Sequence, residues 1–123
     1  MPIRFRYDAE QRILFTTAEG VLTLAEILEH LARESTEKAV AYREVFDATH
    51  ARLETTISEV KMLVSQLHAR MRDGPFGPTA VIAANDYFFG MASMVAILAE
   101  LRGGPQIAVF RNLSDALEWL LRT

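Results

Sequence analysis

Apolar and polar residues alternate where the chain opens: Ile3, Phe5 and Tyr7 are separated by Arg4 and Arg6. A period of two with one apolar side predicts a strand buried on one face. "DAEQ" reads as a turn. Ile13, Leu14 and Phe15 then open a second strand, expected to end near Glu19-Gly20, and the short connection predicts an antiparallel pair. Next the period changes. Leu24, Ile27, Leu28 and Leu31 recur at steps of three and four, behind Thr23 and Glu26 at capping-box spacing. Leu22 and Ile27 fit a hydrophobic staple, and Glu29 and Arg33 fit an ion pair on the outer side of this helix.

"REVFDAT" predicts a short buried strand, Glu44 to Ala48. Thr56 and Glu59 repeat the capping-box spacing, and Ile57, Val60, Val64, Leu67 and Met71 form the stripe of a second helix. Arg70 and Arg72 suit its C-terminal end, and Gly74-Pro75 stops it. "TAVIAA", Thr79 to Ala84, is the continuous apolar run of a strand covered on both faces. In the helix expected from Asp86 to Arg102, Tyr87, Met91, Met94, Leu98 and Leu101 form one stripe and Phe88, Ala92, Val95 and Ala99 the next. That arc is wider than the roughly 100° a sheet-packed helix needs. Gly103, Gly104 and Pro105 end the helix. "QIAVF" is a further strand, and "SDALEWLLRT", with Ser114 as its cap, a last helix. The order β-β-α-β-α-β-α-β-α predicts an α/β domain with a mixed, mostly parallel sheet of about five strands and four helices.

The 123 residues suit one domain spanning 1–123. Half are hydrophobic and 24% are charged, a balance that supports a packed core and argues against disorder. Thirteen basic residues against sixteen acidic ones give a net charge of -3, without the dense basic face that nucleic-acid binding needs. The chain has no cysteine, which excludes disulfides, thiol catalysis and cysteine-ligated metals, and fits a cytoplasmic location. "MPIRFRYDAEQ" lacks the apolar core of a signal peptide. The uncharged run from Tyr87 to Ala99 falls short of the roughly 20 residues of a bilayer span, so no transmembrane segment is expected.

Candidate chemistry is sparse. His30, His50 and His68 read as solvated surface histidines, with His50 in a loop; none pairs with another at i, i+4, and no metal site is expected. "GPFGP" places proline where a phosphate loop needs backbone donors. Asp47 and Asp86 stand at expected strand ends, the edge where open parallel sheets bind ligands. With Thr49 and Asn85 they are candidates to line one crevice. The alternative is that Asp47 steadies its loop while Asn85 or Asp86 caps a helix. No nucleophile–base pair, metal set or cofactor loop can be assembled, so the expectation is a non-enzymatic protein without a cofactor.

The element order and the residues at its joints resemble the SpoIIAA-like (STAS-like) family of small bacterial domains, related in fold to anti-sigma-factor antagonists and CRAL-TRIO-type lipid-binding domains. "EGVLTLAEI", "REVFDAT", "AVIAANDYFFGMASM" and "AVFRNLSDALEWL" carry the resemblance. In antagonists of that family a phosphorylatable serine opens the helix after the central strand, in an Asp-Ser-Ser-Gly setting. The corresponding stretch here is "ETTIS", Glu54 to Ser58. Thr55 and Thr56 stand near the serine positions, as a phosphoacceptor or partner contact, and Ile57 replaces the glycine. The resemblance implies a protein-interaction or regulatory module, or alternatively a carrier of a small hydrophobic ligand or lipid. The wide arc of Tyr87, Phe88, Phe89, Met91 and Met94 is the candidate surface for a homodimer or an apolar ligand. A pocket closed by Phe88, Phe89 and Met94 would favour the carrier, and a flat patch the interaction module.

Overall fold

The computed structural model describes residues 3–36, 42–71 and 76–123. Along the chain run β1 (Ile3–Asp8), β2 (Ile13–Thr23), α1 (Leu24–Thr36), β3 (Arg43–Glu54), α2 (Ile57–Arg70), β4 (Thr79–Ala83), α3 (Asp86–Leu101), β5 (Ile107–Phe110) and α4 (Leu113–Arg122). β1 and β2 pair antiparallel, and β2 through β5 are parallel neighbours in the order β1-β2-β3-β4-β5. The mixed, mostly parallel sheet with four helices is the architecture that the periodicity predicts. The β1–β2 turn is held by Asp8, whose Oδ1 accepts from the backbone N–H groups of Glu10 and Gln11 at 3.0 and 3.1 Å.

Strand order fixes the layers. From β2 onward each strand is added on the same side of its predecessor, so right-handed crossovers bring α1, α2 and α3 to one face. Ile3, Ala18, Leu22, Ala48 and Ala83 meet Val60, Phe88 and Met91 in the core on that face. On the other face, among the described residues, α4 covers the centre of the sheet, packing Ala116 and Leu120 on Ile13, Val45, Ala80 and Ile82.

Several boundaries differ from the sequence reading. β3 is twelve residues long, not a short strand over 44–48. Thr17 pairs with Asp47 and Glu19 with His50, so β3 carries one residue more than β2 across that interval, a β-bulge. The bulge shifts the alternation by one: Glu44, Val45 and Ala48 are buried before it, Ala51 and Leu53 after it. β2 likewise continues past Gly20, which adopts φ +74°, as far as Thr23. His50 therefore lies within a strand and not in a loop.

The helix termini follow the sequence more closely. Thr23 accepts from the N–H of Glu26 at 3.4 Å, and Thr56 forms a complete capping box with Glu59. α2 ends at Arg70; Arg72 and the Gly74-Pro75 stop fall outside the described residues. Ile57, the first residue of α2, is exposed and does not join the stripe. Arg33 reaches inward to the carbonyl of Ile3 at 3.1 Å and lies over the Phe5 ring, away from the expected outer pair with Glu29. The cap of α4 is Asn112, whose Oδ1 accepts from the N–H of Asp115; Ser114 is already inside the helix. α3 ends in a Schellman motif. Gly103 at φ +68° donates to Glu100 O, and Gly104 donates to Ala99 O.

Candidate functional site

A pocket of about 140 Å³ lies between the sheet and the three helices that share its face. α1 contributes Ile27, α2 Val60 and Leu67, and α3 Phe88, Met91 and Val95. The apolar wall has the simplest origin: these are the inward positions of amphipathic helices. Its inner surface is different in kind, because His30 and Glu44 line it too.

Both residues are buried, at 3% and 6% exposure. His30 belongs to the inward stripe of α1, three residues after Ile27, and it is not a surface histidine. Its ring sits between Phe5 and Phe46 in edge-on contacts, at 5.6 and 5.7 Å between centroids. Glu44 follows the inward alternation of β3 with Phe46 and Ala48. Glu44 Oε2 receives the Thr16 hydroxyl and lies 3.1 Å from His30 Nε2. As a carboxylate, Oε2 accepts from both donors, the arrangement that burying a charge requires. The second oxygen, Oε1, takes no hydrogen bond from the described residues and is not fully sealed from solvent, and Glu44 is one of the residues that line the pocket. Sequence reading missed this cluster. Two signals were available, His30 at helical spacing in an apolar stripe and Glu44 two residues before Phe46.

Of the other histidines, His50 and His68 are exposed. Among the described residues no three His, Asp or Glu side chains are placed to hold a metal ion.

The expected crevice residues are engaged locally. Asp47 Oδ1 accepts from both the backbone N–H and the hydroxyl of Thr49, spanning the bulge in mid-strand. Asn85 caps α3 by accepting from the N–H of Phe88 at 2.8 Å, and its amide donates to Ala51 O at 3.3 Å. Asp86 pairs at 2.8 Å with Arg111, whose guanidinium also covers the Phe89 ring and donates to Ala84 O. None of Asp47, Thr49, Asn85 and Asp86 lines the pocket.

At the start of α2, Thr55 lines the pocket, and its carbonyl accepts from the Tyr87 hydroxyl at 2.6 Å. The Thr56 hydroxyl is exposed and accepts from Glu59 N at 3.2 Å, while Glu59 Oε1 accepts from Thr56 N. A phosphate on Thr56 would meet that carboxylate, an unfavourable neighbour for a second anion. Along α3, Phe88 and Met91 line the pocket, whereas Tyr87, Phe89 and Met94 do not. Phe89 and Met94 pack against the core beside it. The outward side of α3 carries Ile97 at 58% and Leu101 at 77% exposure. No helix among the described residues is long and apolar enough to cross a membrane.

No protein-family model matches the sequence, and no curated protein does. Among solved structures, the chain is similar to an uncharacterized protein of the DUF3478 family from Shewanella loihica PV-4, described as having a SpoIIAA-like fold. The TM-score is 0.62 at 15% identity, covering 96% of this chain and 91% of that one. At that identity the likeness concerns architecture alone, and it agrees with the resemblance carried by the four sequence segments. The chain has a SpoIIAA-like fold.

Proposed function

We propose that this domain is a non-enzymatic binding module that carries a small apolar molecule between its sheet and helices α1 to α3. The observation that carries this reading is the pocket itself, about 140 Å³ and walled mainly by aliphatic and aromatic side chains. An apolar cavity of about 150 Å³ takes up benzene, so this volume suits a single ring or a short branched chain rather than a long-chain lipid. The reading departs from a pocket closed by Phe88, Phe89 and Met94, since only Phe88 belongs to the lining. Titration with toluene, followed by amide chemical shifts, tests it. Saturable shifts clustered on the inward residues of α1, α2 and α3 are expected. Their absence up to the solubility limit of toluene would remove the carrier reading.

A second reading is an interaction module that pairs through α3. Its support is Ile97 and Leu101, exposed four residues apart on one side of the helix. A homodimer is the simplest use of such a side. Light scattering at high micromolar concentration should give a dimer, and Ile97→Glu or Leu101→Glu a folded monomer. A wild-type protein that is already monomeric would sink this reading.

A further inference from the structure

Glu44 gives the pocket a polarity that its apolar wall does not. We infer that the molecule it carries bears a hydrogen-bond donor, a hydroxyl or an amino group, directed at Glu44 Oε1; this rests on the carrier reading above.

The argument starts from the two carboxylate oxygens. Oε2 is satisfied by Thr16 and His30, which fix the orientation of the group from a neighbouring strand and from the covering helix. Oε1 is left with lone pairs and no donor among the described residues, on a side chain only 8% exposed. A buried acceptor without a donor costs free energy, and water or a ligand must supply the bond. The remaining lining settles the sign. Among the described residues it contains neither lysine nor arginine; apart from His30, the ionisable side chains there are the carboxylates Glu44 and Glu59. His30 is already turned to Glu44, and Glu59 is tied to the backbone of Thr56. An anionic head, whether carboxylate or phosphate, would meet carboxylates with no lysine or arginine among the described lining residues to offset them. A neutral acceptor head would face Oε1 with no proton between them. A donor head satisfies the orphan oxygen while the rest of the molecule fills the apolar volume.

The test uses isosteric probes on the whole chain: phenol and aniline as donors, toluene as neither, and fluorobenzene as an acceptor-only ring. Affinities come from amide chemical-shift titrations. Phenol should bind about tenfold or more tightly than toluene, the range of a hydrogen bond to a charged group, and fluorobenzene should bind most weakly. Glu44→Gln keeps the shape and an acceptor for Thr16 and His30, but removes the charge. In this variant the advantage of phenol over toluene should shrink several-fold. Equal affinities for phenol and toluene, or an advantage untouched by Glu44→Gln, would overturn the inference and leave the carrier reading standing. If none of the four probes binds, both fail together.

Discussion

Replacing His30 with leucine isolates the energetics of the buried cluster. Leucine retains apolar contact with Phe5 and Phe46, between which the imidazole lies. What it removes is one of the two donors on Glu44 Oε2. Hydrogen bonds to charged groups contribute about 1.5–3 kcal/mol. Here Thr16 still donates to the same oxygen, and the loss is expected within that range, at about 2 kcal/mol. For a domain of this size that lowers Tm by on the order of 10 °C. Urea unfolding followed by circular dichroism measures it directly. Glu44→Leu strands Thr16 and His30 in the same way, so His30→Leu combined with Glu44→Leu should be more stable than the sum of the single losses allows, by about 1 kcal/mol or more. If His30→Leu costs under about 1 kcal/mol with an unchanged m-value, or if the losses simply add, the pair is not the coupled unit described here.

Substitutions at four other positions probe the frame around the site. Thr56→Ala should cost about 1 kcal/mol while Thr56→Ser and Thr56→Asp preserve the fold, because each of the latter can accept from Glu59 N; equal losses in chemical denaturation for all three would contradict the capping role. Gly104→Ala should destabilise by about 1 kcal/mol or more, since a Cβ there lies 2.9 Å from Ala99 O in the backbone of α3; a neutral thermal melt would show that the helix end gives way. Phe88→Glu should unfold the chain, whereas Tyr87→Glu should only loosen the tie to Thr55 O, a contrast readable by circular dichroism and opposed by any outcome in which the exposed position is the more sensitive.

Element types were legible because their periods were intact. The capping boxes and the Gly103-Gly104-Pro105 stop could be read because each depends on chemistry within a few residues. β3 was misread because the bulge puts Ala48 and Thr49 where one residue is expected, and the alternation resumes on the opposite parity. His50, Arg52 and Glu54 are exposed there while Ala51 and Leu53 are buried. The site was harder for a different reason. Thr16, His30 and Glu44 are far apart in sequence, and a polar residue on an apolar stripe looks like a flaw in the pattern until its partners are known. Asp47 and Asp86 drew attention as carboxylates at expected strand ends, yet Asp47 is bonded to Thr49 across the β3 bulge and Asp86 is paired with Arg111.

The sequential strand order has a consequence for how the chain is made. Each strand pairs with the one synthesised just before it, so the sheet can accrete at a single growing edge as the polypeptide emerges, without reserving a gap for a later segment. The two faces are not finished at the same time. α1, α2 and α3 arrive between successive strands and cover their face as it widens. The opposite face waits, because its covering helix follows β5. Until α4 emerges, Ile13, Val45, Ala80 and Ile82 lie bare on a growing sheet. On the ribosome this apolar face stays uncovered until the ten residues of α4 fold onto it.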